Sequence, residues 1–516
     1  MKRILSIISL LILIVANPGC KKFLNVEPVT SLSGNNYWKT EADAENFTKD
    51  VYRLFRSATI SSVMLALGDY RCSPAKSSGS AFPRRYDFDY LANNDLKRAI
   101  AAPNDRTLPG YDPYTQWFQQ NARYDLIPDW TPFYKTVQAA NILEKEVDRI
   151  TEPSFSEDAR KRYKAEAVFM RCMSYFFLVR LFGDVPYYTN AYNQVPLPRT
   201  GMVTVLKNCV ADLERTKENL PWTFQDPSNR AVRGMRGGAI ALLMHMNMWL
   251  AGFDASKAQE YYKAVDVLGK EIETIGEQQV GAYGLLPLNQ SYLVSFGRSR
   301  EGLFEIQLND NYGETSGRER FKFSSSIVHR PFYPNDRTYS ELVYSSSYMK
   351  KIYPETVPDG RKTEWFDNTI YDESGSFQFY KFFNRSAIRQ GNDDNPIIFR
   401  YADVLLLHAE ALAEIGQDAD AQFLLNRIRA RAGADPFPAE PGEGKLKDAI
   451  YYERCKELMG EGHYYYDLVR TKKIMDATYC YHPLSFSAFT GGAWTWPIAT
   501  KALSNNPNMT LNNYWQ

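Results

Sequence analysis

A mostly α-helical chain with embedded tetratricopeptide-type helix pairs, long aromatic loops and few short strands is predicted from three observations. Apolar residues recur at helical spacing in nine segments, glycines and prolines punctuate those segments, and three stretches between them are dense in Tyr, Trp, Asn, Asp, Gly and Pro. The composition, 44% apolar and 23% charged over 516 residues, is that of an ordered globular chain large enough for a substantial core.

The predicted helices run over 41–55, 130–150, 158–182, 202–219, 237–251, 257–275, 401–415, 419–431 and 445–460. In the seventh, Ala402, Leu405, Leu406, Ala409, Leu412 and Ala413 fall at the i, i+3, i+4, i+7 spacing of one buried face. Gly416 supplies its C-terminal cap, and Asp418 or Asp420 can cap the next helix, which carries Ala421, Leu424, Leu425 and Ile428 and ends before Gly433. These two helices form a short-looped hairpin. The same plan recurs where the helix through Leu242 and Trp249 turns at Gly252 into one carrying Ala258, Tyr262 and Val265. It recurs again where a helix ending at Gly183 is followed, after a proline-rich insertion from Pro186 to Pro198, by Leu206, Val210 and Leu213. Small and apolar residues at those offsets suit the second helix of a tetratricopeptide unit, and the irregular spacing implies a few units inside a larger domain rather than an array. Leu303 to Gln307 alternates as a short strand.

The long stretches over 71–130, 281–311 and 312–395 exceed simple connections, and loops of that length in a compact domain are commonly functional. They hold much of an aromatic content of 35 Tyr, 29 Phe and 9 Trp, against a mean hydropathy of −0.43. The formal charge of +1 provides no basic excess for a phosphate backbone, so no nucleic acid partner is expected.

At the N-terminus Lys2 and Arg3 precede an apolar run from Ile4 to Ala16, too short to span a hydrocarbon core and built like an export signal. Asn17-Pro18-Gly19-Cys20 follows, and a cysteine after a small residue there resembles a bacterial lipoprotein cleavage site. The expected organisation is a signal peptide over 1–19, a lipidated tether over 20–40 starting at the acylated Cys20, and one domain over 41–516. Acyl chains contribute roughly 0.8 kcal/mol per buried methylene, enough for several chains to hold a domain at a bilayer. The other cysteines, Cys72, Cys172, Cys209, Cys455 and Cys480, contain no C-x-x-C and are odd in number, so neither a zinc nor a redox motif is present and one thiol stays unpaired within the chain. Cys172 and Cys209 sit in helical patterns and read as buried.

Catalytic signatures are not found. His245, His329, His408, His463 and His482 form no ligand pair at i, i+4; Gly313 to Gly317 places its serine one position late for a nucleophile elbow; and Gly444-Lys445 lacks the rest of a P-loop. No cofactor and no metal are expected, Asn392 to Asn395 reading as a solvated loop rather than a calcium site. Glu453, Glu457 and Glu461 lie at helical spacing and offer either a glycosidase-like acid and base or, with Arg454, Lys456 and Arg470 nearby, a structural ion-pair network, the reading favoured here.

The run Pro396-Ile397-Ile398-Phe399-Arg400-Tyr401-Ala402-Asp403-Val404-Leu405-Leu406 with Ala409-Glu410-Ala411-Leu412 resembles the signature of the SusD/RagB family of Bacteroidetes outer-membrane nutrient-uptake lipoproteins. Other pieces follow in the family's order: Phe23-Leu24 and Pro28 after Cys20; Glu166-Ala167 through Arg171 to Leu181-Phe182-Gly183-Asp184-Val185-Pro186; Glu301 to Gln307; Glu453-Arg454, Glu457-Leu458, Glu461-Gly462 and Asp467-Leu468-Val469-Arg470; and Trp496-Pro497-Ile498 with Asn506-Pro507 to Tyr514. Lys21-Lys22 departs from the acidic residues often found after the family's cysteine. The resemblance implies a SusD-like fold, a lipid anchor at the outer membrane facing the cell exterior, and binding without catalysis of an oligosaccharide or other nutrient, handed to a SusC-like TonB-dependent transporter. A surface glycosidase using the glutamate stripe and a purely structural transporter lid are the alternatives.

Sugar rings stack their C–H faces on aromatic rings and satisfy their hydroxyls with amide, carboxylate or guanidinium partners. On that chemistry Arg71, Trp117, Asn121, Tyr312, Tyr333 and Trp365 are the candidate ligand residues. Arg400 and Asp403 read as fold-holding, at a helix start where a carboxylate suits the helix dipole.

Overall fold

The computed structural model describes residues 37–60, 64–77, 86–101, 124–308, 342–367, 369–372, 379–382, 395–439 and 443–516. Among them, helices of at least 12 residues are α1 Glu41–Ile60, α2 Thr131–Glu146, α3 Glu157–Phe182, α4 Met202–Thr216, α5 Arg236–Phe253, α6 Ala258–Glu271, α7 Tyr401–Glu414, α8 Asp418–Arg431 and α9 Leu446–Glu457. Each falls on a segment predicted from periodicity. Three predicted ends run later because tighter or wider turns continue the helix: 3-10 turns Val147–Arg149 and Lys217–Asn219 after α2 and α4, and a π-helix Ile272–Gln279 after α6.

The helices pack mainly on their sequence neighbours: α1 on α2, α2 on α3, α3 on α4, α4 on α5, α5 on α6, α6 on α7, and α7 on both α8 and α9. The pairs α3/α4, α5/α6 and α7/α8 are the three read from the sequence. A stack of this kind buries its middle members all round. On α5 every residue from Gly237 to Ala251 is buried, and on α7 burial reaches past the predicted face to Val404, Leu407 and His408.

Local signals set the ends. Ser156 Oγ caps α3 by accepting from Ala159 N at 3.1 Å, and Gly183 and Gly416 close α3 and α7 at φ 72° and 79°. Two readings change. Gln417 is the N-cap residue of α8 and no side chain caps it, so Asp418 and Asp420 act in the first turn on the helix dipole instead. Gly252 is no turn but lies inside α5, where the Arg470 carbonyl oxygen would sit 2.1 Å from a Cβ and leaves room only for glycine.

Among the described residues, four short strands form two antiparallel pairs: β1 Ala75–Ser77 with β3 Leu342–Tyr344, and β2 Gly302–Glu305 with β4 Ile397–Arg400. β2 is the strand read from alternation. Its partner β4 enters α7 directly, with Arg400 as N-cap residue. Cys72, Cys172, Cys209, Cys455 and Cys480 are all free and buried.

A line of buried charges ties α5, α7 and α9 to the helix Tyr464–Arg470. Asp403 takes His245 Nε2 at 2.6 Å on one oxygen and Arg454 Nη1 at 2.9 Å on the other. Arg454 continues to Asp467 at 2.8 Å, Asp467 to Arg470 at 2.8 Å, and Arg470 to Glu410 at 2.6 Å. Asp403 therefore does more than favour a helix dipole. The imidazole of His463 packs against that of His245, with centroids 5.5 Å apart. Burial pushes His463 down to about 4, so it is neutral in the fold, and burial lowers His245 too in spite of Asp403.

A base whose folded value lies below its ordinary one lets the unfolded chain bind a proton the fold does not, so His463 subtracts stability as pH falls from about 6.5 toward 4 and subtracts none above. His463→Gln removes that linkage. Its stability deficit against wild type should therefore shrink by about 2–3 kcal/mol between pH 7.5 and pH 4.5, read from urea unfolding at both pH values. A deficit that does not change with pH counts against a buried neutral imidazole.

Candidate functional site

The described ends of three segments in the aromatic stretches, 78–85, 309–341 and 383–394, are tied to one another. Ser77 pairs with Leu342 across β1 and β3, which joins the start of 78–85 to the end of 309–341. Leu308, at the start of 309–341, donates its N–H to Asn395 Oδ1 at 3.1 Å, at the end of 383–394. Both ends of 383–394 meet on Ser295: its Oγ donates to the Phe382 carbonyl at 3.0 Å, and its own carbonyl accepts from Asn395 N at 2.6 Å. The helix Tyr86–Ala92 packs on β1 and fixes it through Asp89 Oδ1, which accepts from Ser77 N at 2.9 Å. The helix Leu96–Ala101 packs on that helix and leads into 102–123.

Asn395 carries much of this arrangement. Besides Leu308 it reaches Glu305 with Nδ2 at 2.8 Å, and burial pushes the Glu305 carboxyl up to about 7. The sequence reading missed Ser295 and Asn395 as organising residues. Asn395 stands immediately before the Pro396 run that carried the family resemblance, which was the available signal.

Of the six candidate ligand residues, Trp117, Asn121, Tyr312 and Tyr333 lie outside the described residues, as do Cys20 and the Asp393-Asp394 pair. Arg71 and Trp365 are described and buried. Each is 1% exposed. Arg71 donates through Nη1 to the Trp494 carbonyl at 2.6 Å and through Nη2 to that of Ala493, with its guanidinium 4.7 Å over the Tyr465 ring. It pins the C-terminal region to the segment after the helix Leu67–Tyr70. Trp365 donates its indole N–H to Ser291 Oγ at 2.9 Å and lies under the Lys381 ammonium at 4.7 Å. A flat aromatic or a guanidinium in an aromatic stretch serves a ligand and a core equally well, and burial assigns both to the core.

The glutamate stripe is the densest polar feature of the described residues. Arg361 Nη2 meets Glu453 at 2.6 Å and Asp359 at 2.7 Å, while its Nη1 meets Glu457 at 3.0 Å. Arg400 meets Glu457 at 2.8 Å, Glu301 at 2.7 Å and Glu461 at 2.6 Å. Arg431 and Lys381 close the network on Glu457 and Glu461, and Arg429 reaches Glu453 at 3.1 Å. Burial would raise the Glu457 carboxyl, but Arg431, Arg400 and Arg361 outweigh it and hold the group well below the usual carboxylate range; Glu453 and Glu461 are lowered in the same way. A glycosidase acid must be protonated at working pH and reach its substrate, and these glutamates satisfy neither requirement. Arg400 also donates to the Glu457 carbonyl at 2.6 Å, so the expected fold-holding role belongs to a network of ten charged side chains on β4, α8, α9 and the segments packed against them.

His245, Asp403 and His463 bring together residue types that bind metals, but both Asp403 oxygens are engaged and Arg454 places a positive charge beside them. Their arrangement serves the ion-pair line described above.

Removing one partner from a buried ion cluster strands the others. Glu457→Gln, which leaves Arg361, Arg400 and Arg431 short of one negative charge, should lower unfolding stability by about 3–5 kcal/mol. The exposed Glu260→Gln on α6, 72% exposed at the side chain, should stay within about 0.5 kcal/mol of wild type, both read from denaturant midpoints.

Comparison with known proteins agrees with this architecture. The model of the SusD family matches residues 248–515, and a second, described as starch-binding associating with outer membrane, matches residues 97–243. A SusD homolog of known structure from Bacteroides thetaiotaomicron is similar at 42% identity with a TM-score of 0.80, covering 92% of this chain and 99% of that one. SusD-like protein P38 of Formosa agariphila is 25% identical over 98% of each chain. The fold also recurs in a laminarin binding SusD-like protein, with a TM-score of 0.67 at 20% identity over 92% of this chain and 99% of that one. With a family model spanning more than half of its length and the same helical stack recurring in solved relatives, the chain belongs to the SusD family.

Proposed function

We propose that this protein is an outer-membrane lipoprotein, exported by the signal at 1–19, anchored through acylated Cys20 on the tether 20–40, and displayed on the cell exterior. There its domain over 41–516 binds an oligosaccharide and delivers it to a SusC-like TonB-dependent transporter. The observation that carries the reading is the pairing of loop ends around Tyr312 and Tyr333: the segment 309–341 that holds them starts at Leu308, bonded to Asn395 at the end of 383–394, and finishes at Leu342, paired with Ser77 at the start of 78–85. Segments rich in aromatic and amide residues suit a ligand with apolar ring faces and many hydroxyls. The family descriptions, starch-binding and associated with the outer membrane, and the laminarin binding of one relative support the ligand class and the compartment. The glutamate stripe gives no support to a surface hydrolase. The burial of Trp365 agrees with the structural-lid alternative only for that one residue.

The protein should retard in affinity gels containing one of laminarin, starch, xylan, mannan or host-type glycans, with no new reducing ends released. The triple variant Trp117→Ala, Tyr312→Ala, Tyr333→Ala should weaken that retardation about tenfold or more without lowering the melting temperature. Retention of full binding by the triple variant with a lowered melting temperature would return these rings to the core and favour the lid. For the anchor, Cys20→Ala should move the protein out of the outer-membrane fraction; a variant that still fractionates with outer membrane argues against acylation.

A further inference from the structure

Two features of the sequence are left without a role by this function: the proline-rich insertion from Pro186 to Pro198 and the C-terminal tail. The structure places them against each other. Asn506 Nδ2 donates to the Leu197 carbonyl at 2.8 Å, Asn508 Nδ2 donates to that of Pro196 at 3.1 Å, and Arg199 reaches the Thr510 carbonyl at 2.8 Å. Between them and the start of α2 lies an open cleft of about 300 Å³. That volume is at the lower end of small-ligand sites.

One wall of the cleft is aromatic. The half-buried ring of Tyr188 lies parallel to that of Tyr134, with centroids 6.1 Å apart and planes 10° from parallel, and Trp130 meets Tyr134 edge-on at 5.5 Å. The wall is held in place. Tyr134 donates its hydroxyl to the Pro186 carbonyl at 2.7 Å, and Tyr175 Oη both donates to the Tyr188 carbonyl and accepts from Tyr188 N, each at 2.9 Å. The rim is polar, with Asp129, Asn193, Lys501 and Asn505. Asp129 uses one oxygen on Thr131 N at 3.0 Å and Asn193 uses its Nδ2 on the Val195 carbonyl at 3.0 Å, which leaves each an acceptor. Lys501 and Asn505 are exposed donors on the facing wall. Asp129 and Lys501 are the charged residues of the lining, one of each sign, so the cleft has no net preference for an ion.

We propose that this cleft is a carbohydrate subsite for one or two neutral sugar units, with Tyr188 as the stacking ring and Asp129, Asn193, Lys501 and Asn505 as hydroxyl partners. A fixed flat ring, mixed donors and acceptors, and zero net charge are the requirements of an uncharged polyol with an apolar face. A purely apolar guest would leave the rim groups without partners, and an anion would meet Asp129. The proposal rests on the glycan-binding function above and adds a second place, built from helices and the tail, where the same chemistry is met.

Saturation-transfer NMR on the full chain, with laminaribiose, cellobiose, maltose, mannobiose and xylobiose as probes, tests it. The wild type should bind at least one disaccharide, Tyr188→Ala should weaken that binding about tenfold, and Tyr188→Phe should retain it. The triple loop variant should keep a saturable component that Tyr188→Ala removes. Should Tyr188→Ala lower the melting temperature, the exposed Asn505→Ala and Lys501→Ala decide, since each should weaken binding about threefold while leaving the fold intact. Unchanged binding in all three variants overturns the subsite and leaves the glycan-binding function standing. Failure of the wild type to bind any probe overturns the subsite, and the affinity gels then decide the glycan-binding function on their own.

Discussion

The guanidinium of Arg400 is the point on which the structure turns. It sits where β4 becomes α7, and it joins Glu301 before β2, Glu457 at the end of α9 and Glu461 beyond it. Through Glu457 the same cluster takes in Arg361 and Arg431, and so reaches the Asp359 turn and α8. A charge taken out of water costs several kcal/mol unless its partners surround it. Such a cluster specifies one arrangement of the surrounding elements, because any other would leave a buried charge alone. It also leaves the carboxylates of the glutamate stripe engaged: the cations around them keep them ionised and paired.

Around that fixed centre the fold divides labour. The helical stack and the ion pairs make one packed body, and the segments 78–85, 309–341 and 383–394 leave it at ends that are hydrogen-bonded to one another. Arg71 and Trp365 mark the boundary between the two. Both belong by sequence to aromatic stretches, and both were drawn into the packed body, one to hold the C-terminal region and the other to pack under Lys381. The cleft beside Tyr188 follows another principle. It is made from parts that look like connections, an insertion and a tail, which become a wall and a rim once three side-chain bonds lock them together.

The helices were legible because their apolar period survives averaging over many residues, and because Ser156, Gly183 and Gly416 announce their ends in a local chemistry that needs no partner. The ion-pair reading of the glutamates was also open to inspection, since basic residues stand close by in the chain. Its true partners, Arg361 and Arg400, come from distant segments and were not. Asp418 and Gly252 show the limit in miniature. Each residue type has a frequent local use, a cap or a turn, and each was claimed instead by its surroundings: Asp418 by the first-turn dipole and Gly252 by the carbonyl of Arg470.

What the sequence by itself determined is therefore everything with a short-range cause: the helical class, the pairs of helices, the export signal pattern, the absence of catalytic spacing, and the ordered motifs that place the chain in its family. Only the tertiary structure decided which aromatic and charged residues face inward, which loop ends pair with one another, and that an insertion and a tail enclose a cleft. Those outcomes depend on contacts between residues up to hundreds of positions apart, as between Arg71 and Trp494. Burial is a property of the assembled stack, which no window of the sequence contains.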